Sequence, residues 1–229
     1  MELAICSFAS SSAGNSFLIQ SQNTRMLIDV GISAKKTEQS LAACGLSCAE
    51  LDGIVLTHEH VDHIKGIGTL LAKKSCHEPV FATRGTYEFA AEKYPQTAGK
   101  PFEIIRGGDR FRVGDITVEA FRISHDAAEP VGYTFQKGGR KIAFVTDTGC
   151  MTAEIFTAIR GADILVIEAN HEKNILLYGK YPYSVKHRIL SDRGHLSNEA
   201  TGAVLSSYLA DFDDGRRPEV VLAHLSKDN

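Results

Sequence analysis

Four metal-type donors fall within six positions, His58, His60, Asp62 and His63, in the run Ile54-Val55-Leu56-Thr57-His58-Glu59-His60-Val61-Asp62-His63. Imidazole nitrogens and a carboxylate suit divalent cations, and with no sulfur in the set Zn²⁺, Mn²⁺ and Fe all remain open. The run starts as an apolar strand and ends in polar residues. In layered α/β proteins binding groups gather beyond the carboxyl ends of strands, and a buried strand holds the first donor rigidly. A loop entering a helix presents alternate residues to different sides, so His58 and His60 can serve one cation while Asp62 and His63 turn toward a second. The same placement recurs three times, with His125 after a strand at 116–123, Asp147 after one at 141–146 and His224 after one at 220–223.

Two cations roughly 3.5 to 4 Å apart lower the pKa of a bridging water to about 7 and clamp the oxygens of a phosphoryl centre. Asp62 can accept a hydrogen bond from the resulting hydroxide and orient it, but departure of an alkoxide still needs a proton donor. The run Gly194-His195-Leu196-Ser197-Asn198-Glu199-Ala200 offers His195 just before Ser197 and Asn198, at a helix start whose backbone donors favour an anion. Between Asn170 and His195 the cations Lys173, Lys180, Lys186, Arg188 and Arg193 outnumber Glu172 and Asp192, a local net charge of +3 in a chain of net −3. Tyr178, Tyr181 and Tyr183 are interleaved with them. Stacking rings among cations are the combination that binds single-stranded nucleic acid, which makes Lys180, Tyr181, Tyr183, Lys186, Arg188, Ser197 and Asn198 the candidate substrate-binding residues.

His-x-His-x-Asp-His with a later His, Asp and His resembles the metallo-β-lactamase superfamily over essentially the whole chain. The resemblance implies His58, His60 and His125 on one metal, Asp62, His63 and His224 on the other, and Asp147 bridging both. An Asp rather than a thiol at the bridging position is similar to the phosphodiesterases and nucleases of that family. In its tRNA 3′-end-processing branch a similar His-x-Ser/Thr motif pairs with an upstream Glu to donate a proton, which implies that role for His195 with Glu168. The N-terminal Phe8-Ala9-Ser10-Ser11-Ser12-Ala13-Gly14-Asn15-Ser16, the stretch ending Gly194 to Asn198, and Leu222 to Asn229 resemble the YycJ/WalJ-like branch. That implies a 5′-to-3′ exonuclease on single-stranded DNA, with a phosphate-cradling role for the N-terminal loop weakened by Ser11 and Ala13, and with a short C-terminal segment expected beyond residue 229.

The alternative is a small-molecule hydrolase acting on a thioester or lactone, which the same donors can serve; it has no use for the basic, tyrosine-bearing segment. A flavin-linked redox protein resembles His-x-Glu-x-Asp instead, and the interval between Asp147 and His224 is too short for an inserted cap domain.

These residues need strands to position them. Strand-like runs read at 3–8, 16–20, 26–29, 53–57, 80–82, 116–123, 131–136, 141–146, 164–169 and 220–224, and helical patterns at 33–44, 63–74, 83–93, 152–159 and 198–208. A hairpin about Lys137-Gly138-Gly139 adds antiparallel pairing to parallel crossovers. The expectation is an α/β protein, a four-layer αββα sandwich with two mixed β-sheets, forming one domain over residues 1–229.

A length of 229 residues with 43% hydrophobic composition suffices for an unaided core. The apolar runs at 164–167 and 220–223 are too short for a bilayer, and the N-terminus lacks a secretory pattern, so a cytoplasmic protein without membrane contact is expected. A net charge of −3 argues against a globally basic nucleic-acid coat. Five scattered cysteines, Cys6, Cys44, Cys48, Cys76 and Cys150, fit reduced packing residues rather than a disulfide framework. No obligate protein partner is indicated.

Overall fold

The central strands are apolar on both faces because both faces are covered. The computed structural model of the protein describes residues 3–73, 76–212 and 217–226. One six-stranded sheet has the order β1 (Ala4–Ala9), β2 (Ser16–Gln20), β3 (Arg25–Ile28), β4 (Gly53–Val55), β5 (Val80–Thr83), β6 (Phe102–Ile105). The other is built from β7 (Arg110–Val113), β8 (Ile116–Arg122), β9 (Val131–Lys137), β10 (Arg140–Val145), β11 (Ile164–Glu168) and β12 (Glu219–Ala223), again neighbours in chain order. Both are mixed: β3 to β6 are parallel after an antiparallel start, and β10 to β12 are parallel after an antiparallel meander.

Period-two alternation sorts the side chains. Phe17, Ile19, Met26, Ile28 and Val55 join Tyr133, Phe135, Ile142, Phe144 and Val166 in the core between the sheets. Leu18, Leu27, Ile54 and Leu56 instead pack with Leu41 of α1 (Ala34–Ala43), Ile67, Leu70 and Leu71 of α3 (Ile67–Leu71) and Ala90 of α4 (Arg84–Lys93). On the far side Phe121, Ala143, Val145, Leu165 and Ile167 meet Ile155 and Ile159 of α5 (Ala153–Ile159) and Val204 and Tyr208 of α8 (Asn198–Ala210). The result is the expected four-layer αββα sandwich. Each fully buried aliphatic or phenyl side chain contributes about 1.5–3 kcal/mol, which offsets the ordering of the chain.

Strand direction places the functional edge. β3 and β4 are parallel, and β8 lies two antiparallel steps from β10, so it shares the direction of β10, β11 and β12. The carboxyl ends of β8, β10, β11 and β12 therefore lie along one edge of their sheet. Hydrogen bonds tie that region to the end of β4: Val131 N donates to the Thr57 carbonyl at 3.0 Å, and the Tyr133 hydroxyl to the Leu56 carbonyl at 2.7 Å. Away from this edge, Asp115 accepts from Ser21 and Thr24 of the first sheet and pairs with Lys137 of the second.

Several expectations change in detail. The helix expected at 63–74 is split into α2 (Val61–Ile64) and α3. Gly66 interrupts it because the chain there presses on residues 30–32, where an added Cβ would lie 2.1 Å from the Ile32 carbonyl oxygen; the expected end at 74 lies outside the described residues. Residues 170–195, where no helix was expected, contain α6 (Lys173–Tyr178) and α7 (Tyr183–Ile189), both too short to announce themselves by periodicity. β6 and β7 were not expected, since Phe102–Ile105 and Arg110–Val113 are brief and polar-rich. Gly138 and Gly139 do turn the β9–β10 hairpin, both with positive φ. None of the five cysteines forms a disulfide; Cys48 and Cys76 are buried, but Cys44 is exposed rather than packed. No helix among the described residues is long and apolar enough to cross a membrane.

Tyr133→Phe leaves the Leu56 carbonyl without its buried donor. The expected cost is about 1–3 kcal/mol, read as a fall of roughly 2–10 °C in Tm with an unchanged far-ultraviolet circular dichroism spectrum.

Candidate metal centre

Three residues that follow strands at this edge adopt left-handed backbone conformations rare for residues with a side chain: Asp29 after β3 (φ 58°), Asp147 after β10 (φ 58°) and His224 after β12 (φ 54°). Each such turn costs about 1–2 kcal/mol. The turn ends the strand and swings the side chain into the space between the sheets.

There the seven expected donors converge. His60 Nδ1 and His125 Nε2 are 3.2 Å apart, and with His58 they form one group whose ligand atoms lie within 4.8 Å of one another. Asp62, His63 and His224 form a second such group, with His63 Nε2 3.5 Å and His224 Nε2 3.4 Å from Asp62 Oδ2. Asp147 belongs to both neighbourhoods. It groups with His58 and His63, and its two oxygens lie 3.4 Å from His63 Nε2 and 3.2 Å from His224 Nε2.

Two buried atoms in this set, His58 Nε2 and Asp147 Oδ2, have no hydrogen-bond partner. A buried polar atom left unpaired is costly, and a cation satisfies both. The donor set, imidazole and carboxylate without sulfur, fits a divalent ion.

The buried groups also shift one another's protonation. Burial, and then His63, hold the His58 imidazole well below the ordinary histidine range. Burial also opposes charge on His63 and Asp147, but is outweighed: Asp147 and Asp29 hold His63 well above its usual range, and His224 and His63 hold Asp147 well below the carboxylate range. His224, despite its burial, is pushed up to about 10, chiefly by Asp147 and Asp62.

Behind the donors stands a supporting set that sequence reasoning missed. Asp29 is fully buried and accepts from the Thr57 backbone and hydroxyl, both at 2.8 Å, while its Oδ2 lies 2.8 Å from His63 Nδ1. That carboxylate fixes the ring so that Nε2 faces the centre. The Thr57 hydroxyl, 3.0 Å from His58 Nδ1, does the same for His58. Asn15 bonds the Asp62 backbone and reaches His63 Nε2 at 3.1 Å, and Ser10 accepts from the His224 backbone at 2.7 Å. The N-terminal loop thus braces the donors. Asp29 could have been found by the rule that found His58, since it too follows an apolar strand.

Glu168, fully buried at the end of β11, has Oε1 2.6 Å from His195 Nδ1 and 3.3 Å from His224 Nδ1. Glu168 outweighs the effect of burial and raises the His195 pKa. With Nδ1 engaged, His195 has Nε2 left for other contacts, and its side chain is 12% exposed. Gly194 supports two groups at once. Its carbonyl lies 3.1 Å from His125 Nδ1, and a Cβ on it would come within 2.2 Å of the Ile189 carbonyl oxygen at the end of α7.

The remaining expected site residues lie outside the donor set. Ser197 is buried and caps α8 by accepting from Ala200 N; Asn198 is exposed on the first turn. Lys180 and Tyr183 are exposed and Tyr181 half-buried. Lys186 bonds the Leu177 carbonyl. Arg188 pairs at 2.9 Å with Asp126, which lies 3.3 Å from His125 Nε2 and so borders the centre. Arg193 donates twice to the His125 carbonyl, a structural role.

The sequence signature of the beta-lactamase superfamily domain matches residues 24–212. The chain belongs to the metallo-β-lactamase superfamily. Within the family it is 38% identical to the exodeoxyribonuclease YycJ of Bacillus anthracis, over all of this chain and 84% of that one. It is 37% identical to the exodeoxyribonuclease WalJ of Streptococcus pneumoniae serotype 2 strain D39, over 96% of this chain and 81% of the relative. This metallo-β-lactamase fold also superposes on a diphosphatase of the PhnP family with a TM-score of 0.75 at 17% identity, over 100% of this chain and 88% of that one. The branch is the YycJ/WalJ-like one, and the protein is a metal-dependent hydrolase.

Asp29→Asn keeps the side-chain shape but removes the charge that orients His63. Metal affinity is expected to fall roughly 10- to 100-fold, measured by chelator competition, with the folded circular dichroism spectrum retained.

Proposed function

We propose that this protein is an exonuclease that degrades single-stranded DNA in the 5′-to-3′ direction with two divalent ions, Zn²⁺, Mn²⁺ or Fe. The observation that carries the reading is the Glu168–His195 pair, a buried carboxylate fixing a partly exposed imidazole beside seven convergent donors. Hydrolysis of a phosphodiester with an alkoxide leaving group needs such a proton donor, whereas a thiolate leaves without one. The curated names of the relatives from B. anthracis and S. pneumoniae support the same polymer.

His58, His60 and His125 would hold one cation, Asp62, His63 and His224 the other, and Asp147 would reach both. When bound, such a pair supplies a nucleophile from water near neutral pH and neutralises charge on the phosphoryl oxygens. The chain's own residues do the rest. Asp62, with 24% of its side chain exposed among otherwise buried carboxylates, accepts a hydrogen bond from the attacking water and orients it. His195 gives the proton on Nε2 to the departing 3′-oxygen, and Glu168 holds Nδ1 and stabilises the charged ring. Arg188 and Asn198, beside this edge, meet the polymer backbone. The whole chain acts as one domain, with the N-terminal loop closing over the donors.

Metal-reconstituted wild type is expected to degrade 5′-phosphorylated single-stranded DNA in a strongly salt-sensitive manner, and Asp62→Ala to abolish this. His195→Ala should lower kcat on DNA by about 10²- to 10⁴-fold. The loss should be much smaller on bis(p-nitrophenyl) phosphate, whose leaving group needs no proton. Equal losses on both substrates would remove His195 from the acid role, and vigorous thioester hydrolysis without nuclease activity would overturn the proposal.

A further inference from the structure

Five of the twelve exposed large apolar side chains among the described residues lie between Ile175 and Leu190: Ile175, Leu177, Tyr178, Tyr183 and Leu190. Over the span from Lys173 to Ser191 the sequence holds Lys173, Lys180, Lys186, His187 and Arg188 and no acidic residue at all. α6 and α7 form an arm whose exposed face is at once apolar, aromatic and cationic.

The arm is concave. Leu177, Tyr183, Lys186, His187, Leu190 and Ser191 line a cleft of about 390 Å³. Leu177 is 51% exposed, Leu190 40% and Tyr183 82%. The Lys186 ammonium bonds the Leu177 carbonyl at 2.7 Å and closes α7 onto α6, so the cleft is built rather than incidental. The Tyr183 and His187 rings lie 6.2 Å apart at an interplanar angle of 42°, at one side of it.

The cleft is also tied to the metal centre. Arg188 pairs with Asp126, the neighbour of His125. His195 N donates to the Ile189 carbonyl at 3.0 Å, and Gly194 fits against the last carbonyls of α7 with no space for a Cβ. Arg188 and the His195 backbone thus meet at the carboxyl end of α7.

We propose that the α6–α7 cleft is a nucleobase subsite, in which a base of the single strand stacks on Tyr183 over the Leu177 and Leu190 side chains while Lys180 and Lys186 meet the flanking phosphates. The proposal rests on the nuclease reading of the centre and adds where the strand is held. Flat apolar rings alternating with single negative charges are the chemistry that an apolar, aromatic and acid-free surface matches. An anionic membrane shares the charge, but a concave cleft that leads by an ion pair to the residue beside His125 favours the strand.

The test uses full-length protein freed of metal by chelation, so that binding is read without cleavage, and short 5′-phosphorylated single-stranded DNA carrying 2-aminopurine. Wild type is expected to quench the 2-aminopurine fluorescence. Tyr183→Ala should abolish the quench and weaken binding roughly 5- to 150-fold, whereas Tyr183→Trp should restore both. Tyr183 is a surface residue, so neither variant endangers the fold. In the metal-loaded enzyme Tyr183→Ala should raise KM for the oligonucleotide far more than it changes kcat. If wild type degrades single-stranded DNA but Tyr183→Ala matches it in quench, affinity and KM, the subsite is wrong and the nuclease reading stands. If wild type neither binds nor degrades single-stranded DNA, both fall. Tyr183-dependent binding to phosphatidylglycerol vesicles with DNA affinity unaffected by the variant, or a Tyr183-dependent dimer, would assign the cleft to another occupant and overturn the proposal.

Discussion

Everything at the functional edge depends on one buried carboxylate. Asp147 is 2% exposed, faces the His63 and His224 imidazoles from its two oxygens, and keeps Oδ2 without a hydrogen-bond donor. It reaches this position because β10 ends in a left-handed turn, and the same turn recurs at Asp29 and His224. Three such turns, each unfavourable alone, persist because the sheets around them over-determine the backbone. Strain of this kind is tolerated where it aims a side chain that an extended strand would direct elsewhere.

The donors could be read in the sequence because strand ends are legible. An apolar run that stops at a histidine or an aspartate is visible without any knowledge of pairing, and His58, His125, Asp147, Glu168 and His224 all have that form. The two sheets were legible for the same reason, through alternation in Phe17 to Ile19 and Met26 to Ile28. What stayed hidden depends on long-range contact. Asn15, Ser10 and Gly194 support the centre through hydrogen bonds to residues far away in the chain, and nothing in their local pattern distinguishes them from ordinary loop residues. Ser197, a hydroxyl in the same motif as His195, caps a helix, a role its position just before the helix does make legible.

The arm of α6 and α7 was underestimated for a physical reason. Helices of six and seven residues bury too little of their own surface to carry a helical signature; here Lys186 ties α7 to α6, and Gly149 and Gly194 leave room for the end of α7 to pack against the body of the protein. Its composition, by contrast, was readable. Cations and tyrosines without acids are informative whether or not the backbone around them is helical.

Gly194 links two things that are usually thought of separately. Its carbonyl orients a donor of the cation site through His125, and its Cα fits against the end of the arm that bears Tyr183 and Arg188. A ligand that tightens one side of this residue changes the free energy of the other, and thermodynamic linkage makes the effect mutual. If the arm holds a strand as proposed, cation occupancy and the affinity of the arm become coupled quantities. Beside the Arg188–Asp126 pair and the His195 N bond to the Ile189 carbonyl, Gly194 is the link that has no side chain with which to adjust.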